Sequence, residues 1–256
     1  MARAPRHLHG PGGPRRARRR RTVPTVTAPG PRTPYAEHRL DLGESRLRKL
    51  LRLLAGEPRG RVLDVGCAGG ELAEILHARG WRVDGVEREP ELVRTAERHG
   101  IAVRLSDFDR EPLPWDTATF DAAVAGEVIE HVVDTDHLLG ELARVVRPGG
   151  ALVVTTPNLA SLENRLRLLF GRYPMWMDYR VVGTGHLRYY TPRVLRHHLE
   201  VHGFRVEAHV GNWVPFLPQR WVDDRRWRWM ALTGDWWPSL AMDILMKARR
   251  QPRTSA

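Results

Sequence analysis

Lysine is almost absent from this chain, in which Lys49 and Lys247 are the only lysines among 41 basic residues. The formal net charge of +11 would by itself suggest a polyanionic partner. Nine arginines and no acidic residue lie in residues 1–34, however, so the remaining chain carries a formal charge of only +2. Phosphate binding needs clustered positive charge on the folded surface. The distribution favours a bias in base composition and argues against a nucleic-acid partner.

Cysteine and long apolar runs are scarce as well. Cys67 is the single cysteine, so no disulfide can form within the chain, and we expect a reducing, cytoplasmic compartment. No apolar run approaches the roughly 20 residues that a transmembrane helix needs. Arg15–Arg21 resembles a twin-arginine signal, but a Pro/Thr-rich stretch follows it instead of an apolar one. We therefore predict no secretion signal.

The N-terminal segment, residues 1–34, combines seven prolines and four glycines with its nine arginines. Such a segment cannot bury enough apolar surface to offset the entropy lost on ordering, so it is predicted to be a disordered tail. It is either a solvated tail or the result of a misplaced start codon, or else an arm that binds a polyanion. Residues 35–256 are predicted to form the folded domain.

Strands and helices alternate through that domain. Helices are predicted where apolar residues recur at helical spacing or where Pro and Gly mark the ends, over residues 47–54, 69–79, 90–99, 136–146, 162–170 and 192–202. The predicted strands are Arg61–Val65, Trp81–Glu87, Ile101–Ser106, Thr119–Ala125, Ala151–Thr155, Phe204–Val210 and Leu240–Ala248. This alternation indicates an α/β fold with a parallel sheet covered on both faces. Ligands of such sheets bind beyond the carboxyl ends of the strands.

A glycine-rich turn, with the sequence VLDVGCAGG over Val62–Gly70, joins the first strand to a helix. Glycine permits a tight turn and lets a ligand approach the backbone. Asp64 is placed to accept hydrogen bonds from a cationic amino group, and Glu87, at the end of the second strand, to hold a ribose diol. The turn alone suits a nicotinamide enzyme equally well. Asp107 and Phe108 follow the third strand, where a carboxylate and a ring suit an adenine.

Four segments in this order, DVGCAGG, GVERE, SDFDREPLPWDTATFDAAVAGEVIEHV and RVVRPGG, resemble the class I S-adenosylmethionine-dependent methyltransferases. Within that class they are most similar to the group that includes the ubiquinone O-methyltransferases. The resemblance is good over residues 45–157 and looser over residues 184–248. It implies a single Rossmann-like, doubly wound sheet of seven strands, mostly parallel with the last strand antiparallel. It also implies S-adenosylmethionine as the cofactor.

The resemblance also implies roles for single residues. Asp64, Gly66 and Gly70 would frame the methionine end of the cofactor, with Glu87 at the ribose. Ala68 stands where the family usually has the middle glycine of the turn. The full predicted cofactor site is Asp64, Gly66, Ala68, Gly70, Glu87, Asp107, Phe108 and Glu127.

The segment EVIEH follows the fourth strand and carries Glu127, Glu130 and His131. On a helix these positions share one face, and two carboxylates with an imidazole suit a divalent Mn, Fe, Co or Zn ion. Such an ion would lower the pKa of an acceptor hydroxyl. The segment resembles the metal-binding segment of ubiquinone-type and small-RNA 2′-O-methyltransferases, in the latter of which a later histidine completes the site, here His186. Two alternatives stay open: Glu130, His131 and His186 act as a catalytic base or substrate contact without metal, or the segment is structural.

Two insertions, residues 158–191 and 211–238, are candidates for binding the acceptor. Aromatic walls with a few polar groups suit a small-molecule, glycan or lipid-linked acceptor, although the same aromatics also suit plain packing. Tryptophan and arginine alternate in residues 213–237, which favours peripheral contact with the inner membrane face, a lid or a dimer contact. The oligomeric state stays open. The tryptophans concerned are Trp213, Trp221, Trp227, Trp229, Trp236 and Trp237.

The leading functional hypothesis is O-methylation of an acceptor hydroxyl. A C- or N-methyltransferase on the same scaffold is the second hypothesis. The third is a non-catalytic protein that binds the cofactor or RNA. Intact Asp64, Glu87 and Asp107 argue against a non-catalytic protein, and the scarcity of lysine argues against RNA.

Overall fold

The computed structural model describes residues 44–177, 185–215 and 228–252. The predicted tail, residues 1–34, and parts of both insertions lie outside the described residues. The helices are α1 (Ser45–Ala55), α2 (Glu71–His77), α3 (Pro90–Arg98), α4 (Thr135–Val145), α5 (Leu162–Leu169), α6 (Pro192–Val201) and α7 (Thr233–Trp236). The strands are β1 (Arg61–Val65), β2 (Arg82–Glu87), β3 (Ala102–Leu105), β4 (Phe120–Gly126), β5 (Val146–Pro157), β6 (Phe204–Gly211) and β7 (Asp243–Arg250).

The seven strands form one sheet in the order β3-β2-β1-β4-β5-β7-β6. Neighbouring strands run parallel from β3 to β5, whereas β7 is antiparallel to both β5 and β6. The predicted doubly wound fold with an antiparallel last strand is confirmed. The strand order reverses between β1 and β4, so the loops after these two strands lie side by side at the carboxyl edge. This is where ligands bind in sheets of this kind.

Each face of the sheet carries its own apolar cluster. On one face Leu138 of α4 and Leu195 of α6 are completely buried, and on the other Leu54 of α1 and Leu76 of α2 are buried. Burying one such side chain stabilises the fold by about 1.5–3 kcal/mol. The helices that the periodicity predicts are therefore held by packing on both sides of the sheet. Within the described ranges, no helix has the length and apolar character that crossing a membrane requires.

The predicted bounds agree with the structure most closely at β1 and differ most at β5. The sequence predicts a strand that covers only Ala151–Thr155, but this is wrong, because the strand already begins at Val146. Gly149, with φ of 78°, and a register shift between Phe120 and Ala122 let the strand continue through this segment. A proline–glycine pair here marks an irregularity within a strand and not its start.

An ion-pair group fastens the loop after α1 to β7. Arg249 donates two hydrogen bonds to the Glu57 carboxylate, at 2.7 and 2.8 Å, and Lys247 also contacts it. The hydrogen bonds from Arg249 lower the pKa of Glu57 from 4.5 to about 2. A carboxylate whose pKa is lower in the folded than in the unfolded protein stabilises the fold. This stabilisation is complete above the unfolded pKa and is lost as the pH falls through the folded pKa.

We therefore expect Glu57→Gln to lower the free energy of unfolding by about 1–2 kcal/mol at pH 7, because two charge-assisted hydrogen bonds are weakened. The difference in the free energy of unfolding between the wild type and Glu57→Gln should shrink as the pH falls from 4.5 to about 2. Urea unfolding at several pH values measures it. Glu97→Gln, on the exposed side of α3, is the matched control, and an equal loss in both variants would contradict the prediction.

Candidate active site

The turn after β1 has the backbone that its glycines predict. Gly66 has φ of 63° and Gly70 φ of 93°, both in the left-handed region that favours glycine. A side chain on Gly66 would also lie 2.7 Å from a methyl group of Val128, which comes from the loop after β4. The two loops at the carboxyl edge therefore approach each other so closely that only glycine fits between them.

Ala68, at the position where the family usually has glycine, also adopts the left-handed region, with φ of 47°. Its backbone N–H donates to the Glu87 carboxylate at 3.0 Å, which fixes the turn against the end of β2. Cys67 next to it is buried, and burial raises the pKa of its thiol, so it is unsuited to act as a nucleophile. The turn thus allows a ligand to approach its backbone, and it offers no nucleophile for covalent chemistry.

Asp64 is a buried carboxylate at the inner side of the turn. Only 2% of the residue is exposed, and its Oδ2 atom makes no hydrogen bond within the described part of the chain. Burial, with the nearby charges of Glu87 and Glu71, raises its pKa from 3.8 to about 8. An unsatisfied buried acceptor is costly. A cationic amino group is the kind of ligand that would satisfy it.

Glu87 lies at the end of β2, where a ribose diol is predicted to bind. One oxygen accepts the Ala68 N–H, and the other accepts the N–H groups of Arg88 and Glu89 at 2.8 and 3.0 Å. A carboxylate offers about four lone-pair positions, so one remains for a hydroxyl. The three backbone hydrogen bonds orient the side chain before any ligand arrives.

The predicted adenine contacts, Asp107 and Phe108, lie in different surroundings. Asp107 is half-buried in the loop after β3 and accepts a weak hydrogen bond from the Asp109 N–H at 3.4 Å. Phe108 is only 4% exposed and packs in the main apolar cluster with Leu113 and Trp115. Phe108 thus has little surface to offer a ligand ring. It anchors the loop that carries Asp107.

Glu127–His131 does not form the helix on which Glu127, Glu130 and His131 would share one face. Glu127 has φ of 57°, which no helix permits, and only Ile129–His131 forms a single turn of 3-10 helix. The Glu127 carboxylate turns toward α1, where it pairs with Arg46 at 2.7 Å and accepts from the Thr155 hydroxyl at 2.8 Å. Glu127 is therefore engaged in a separate ion pair. It is not one of the residues grouped with the two histidines.

Glu130, His131 and His186 do come together, with one ligand atom from each lying within 4.8 Å of the others. The two imidazole rings meet edge to face, with their centroids 4.7 Å apart. Glu130 is 1% exposed, and neither its oxygens nor the Thr156 hydroxyl beside it make hydrogen bonds of normal geometry within the described ranges. Burial, and then the charge of Glu127, raises the pKa of Glu130. Burial, and then the charge of His186, lowers the pKa of His131.

Both histidines are oriented through Nδ1. His131 Nδ1 lies 3.1 Å from the Gly185 carbonyl, and His186 Nδ1 lies 2.7 Å from the Trp176 carbonyl. A carbonyl only accepts, so Nδ1 carries the proton and Nε2 has the lone pair in each neutral ring. Metal-ligating histidines are typically oriented in this way. The same tautomer also suits a general base.

Sequence reasoning missed two charged residues of this region, Arg46 and Asp243. Arg46 of α1 pairs with Glu127 and with Glu44, at 2.7 and 2.9 Å. Asp243 begins β7, accepts from Asn212, and has a raised pKa because of burial and the charge of Glu127. Arg46 lies more than 80 positions before Glu127, and no local pattern in α1 distinguishes it from its neighbouring arginines.

Fold and site together define an α/β enzyme class with a nucleoside-type cofactor turn after β1 and a polar cluster after β4. A family model described as a methyltransferase domain matches residues 35–209. The human mitochondrial ubiquinone biosynthesis O-methyltransferase is 34% identical over 161 residues, which are 59% of this chain and 43% of that protein. The enzyme of the same name from Xanthomonas oryzae pv. oryzae (strain PXO99A) is 32% identical over 181 residues, 69% of this chain and 66% of that protein.

Solved structures show the same fold. An S-adenosylmethionine-dependent methyltransferase from Mesorhizobium loti has a TM-score of 0.58 at 20% identity, over 81% of this chain and 99% of that one. A possible histamine N-methyltransferase from Thermotoga maritima has a TM-score of 0.59 at 19% identity, over 80% and 89% of the two chains. The chain belongs to the class I S-adenosylmethionine-dependent methyltransferases. It spans less than half the length of the human relative it matches.

Proposed function

We propose that this methyltransferase transfers the methyl group of S-adenosylmethionine to a hydroxyl oxygen of a small-molecule acceptor. The observation that carries the proposal is the cluster of Glu130, His131 and His186 after β4, beside the turn after β1. O-methylation needs a group that handles the hydroxyl proton, whereas the sulfonium donor is already activated. The names of the relatives, ubiquinone biosynthesis O-methyltransferases, support the same reaction.

The cofactor is proposed to lie along the turn after β1. Asp64 would accept from its cationic amino group, which would remove the cost of the unsatisfied Oδ2 atom. Glu87 would accept from a ribose hydroxyl, and Asp107 from the adenine amino group. Gly66, Ala68 and Gly70 would let the backbone approach the methionine end.

The cluster after β4 fits two roles, and the donor set favours a divalent metal ion. The buried Glu130 carboxylate makes no hydrogen bond of normal geometry within the described residues, and both imidazoles keep Nε2 unprotonated when neutral. Such donors are the ones that Mn, Fe, Co and Zn ions bind. A bound ion would lower the pKa of the acceptor hydroxyl. In the second role, His131 takes the hydroxyl proton itself, with Glu130 and His186 as its neighbours. Both roles give the same product.

The experiment that tests the function is methyl transfer from labelled S-adenosylmethionine to a panel of phenols, catechols, glycans and amines, after calorimetry has measured cofactor binding. Labelled ether products are the expected result. Products labelled only on nitrogen or carbon would contradict O-methylation. Cofactor binding without transfer to any member, or to a cell extract rich in ubiquinone precursors, would contradict an enzyme with this acceptor class.

The second insertion is proposed to touch a membrane surface through Trp229, Trp236 and Trp237, whose side chains are about half exposed. Trp213 does not share this role, because it is buried with Met230 and Met242. Trp221 and Trp227 lie outside the described residues. Flotation with anionic liposomes should carry the protein upward, and Trp236→Ala with Trp237→Ala should reduce the floated fraction severalfold. Trp81→Phe, in the buried core, is the control. If the double variant floats to the same extent as the wild type, the proposed membrane contact is contradicted.

A further inference from the structure

A second group of potential ligands lies between α4 and α6. Asp136 is in the first turn of α4, His198 is in the last turn of α6, and His202 directly follows α6. The two histidines are four positions apart, so they project from the same side of the helix. One Asp136 oxygen, Oδ1, lies 3.0 Å from His198 Nε2 and 3.3 Å from His202 Nε2. None of these residues belongs to the cluster of Glu130, His131 and His186.

The hydrogen bond of the His202 ring directs its lone pair toward the carboxylate. His202 Nδ1 lies 2.9 Å from the His198 carbonyl, so it carries the proton and Nε2 carries the lone pair in the neutral ring. That lone pair faces Asp136 Oδ1. Two lone pairs repel each other at this distance unless a proton or a cation lies between them. His198 Nε2 approaches the same oxygen, so one positive centre would serve both contacts.

The separations suit a metal ion. Zinc binds imidazole nitrogen at about 2.0–2.1 Å and carboxylate oxygen at about 2.0–2.2 Å, so two ligand atoms of a tetrahedral site lie about 3.4 Å apart. The observed N···O separations are 3.0 and 3.3 Å. Each histidine also has an outer partner for Nδ1, namely the His198 carbonyl for His202 and the Tyr190 hydroxyl, at 3.0 Å, for His198. Partners of this kind fix the orientation of metal-ligating histidines.

We propose that Asp136, His198 and His202 form a binding site for a divalent transition-metal ion of the zinc type, which joins α4 to α6. Asp136 is 77% exposed on its side chain, so water completes the coordination. Arg188 places a further positive charge near Asp136, which weakens cation binding. We therefore expect micromolar and not nanomolar affinity.

The site would also act on the segment that carries His186. The Tyr190 hydroxyl is hydrogen-bonded to His198, and the N–H groups of Leu187 and Arg188 donate to the Glu130 carbonyl. An ion bound by Asp136, His198 and His202 would therefore hold the Tyr190 end of residues 185–190. The other end of the same segment carries His186 of the candidate catalytic cluster. The ion is proposed to stabilise this segment and takes no part in the reaction.

The test is calorimetric titration of the untagged full chain with Zn²⁺, together with Co²⁺ absorption spectra, which report nitrogen ligation. The starting protein carries Glu130→Gln and His131→Ala, so that the cluster after β4 does not contribute. Adding His202→Gln should remove one equivalent of binding or weaken it at least tenfold. Adding His197→Gln, at the exposed neighbouring position, should leave that equivalent unchanged.

Melting temperatures give the second measurement. Zn²⁺ should raise the melting temperature of the starting protein and of the His197→Gln control by a few degrees, and that of the His202→Gln protein by much less. Asp136→Asn, which keeps the shape of the side chain, should behave like His202→Gln and guards against misfolding of one variant. If Zn²⁺ binds all of these proteins equally, the three residues form only a proton-sharing ion pair and the proposal is overturned.

Discussion

Replacing His131 with alanine is expected to lower the turnover number for methyl transfer by about 10²–10⁴-fold, the range that loss of a proton-transfer group produces. His131 lies with Glu130 and His186 in the cluster after β4, and both of its proposed roles concern the acceptor hydroxyl and not the cofactor. Cofactor affinity, measured by calorimetry, should therefore change by less than about twofold, which corresponds to less free energy than one hydrogen bond contributes. His197→Ala, an exposed histidine on α6, is the matched control.

The same variant separates the two roles of the cluster when it is combined with metal depletion. With a bound metal ion, a strong chelator should reduce the wild-type rate to that of His131→Ala, and added Mn²⁺, Co²⁺ or Zn²⁺ should restore it. With His131 as a base, the chelator should leave the wild-type rate unchanged while Glu130→Gln causes a smaller loss than His131→Ala. Unchanged turnover in His131→Ala would refute both roles.

Replacing Asp64 with asparagine is expected to weaken the binding of S-adenosylmethionine by about tenfold to a hundredfold. The asparagine keeps the size of the side chain but loses the charge, and a hydrogen bond to a charged group is worth about 1.5–3 kcal/mol. Calorimetry measures the affinity. Asp116→Asn, an exposed aspartate before β4, is the control and should bind the cofactor normally.

The same substitution should stabilise the protein without cofactor. The pKa of Asp64 is about 8 in the folded state and 3.8 in the reference state, so the folded protein holds the proton more tightly between these values. Its contribution to stability is therefore present below pH 3.8 and is lost as the pH rises toward 8. At pH 8 we expect the free energy of unfolding of Asp64→Asn to be about 1–3 kcal/mol higher than that of the wild type. Near pH 4 the two free energies should be equal. Lower stability at pH 8 would contradict the prediction.

The sheet and the cofactor turn could be predicted from the sequence because their signals are local. Val62–Gly70 contains both the apolar strand and the glycines whose positive φ values the structure shows. The resemblance to methyltransferases also selected His186 as the third member of the cluster, although it lies 55 positions after His131. A purely local pattern could not have done so.

What could not be predicted depends on contacts between distant segments. Glu127 looks equivalent to Glu130 in the sequence, but Arg46 of α1 and Thr155 of β5 draw it into another ion pair. The sequence predicts a ligand contact for Phe108 and favours a membrane, lid or dimer contact for Trp213, yet both side chains are buried in apolar clusters. Aromatic side chains pack as readily as they bind, and only tertiary structure separates the two outcomes.

The position of β7 between β5 and β6 has a consequence for the order of folding. The ribosome makes β6 before β7, and among the strands that the structure describes β6 pairs only with β7. During synthesis β5 and β6 each expose an unpaired edge until residues 243–250 emerge and hydrogen-bond to both. Exposed edges of this kind are sites of aggregation. The nascent chain is therefore most prone to aggregation in the interval between the synthesis of β6 and that of β7.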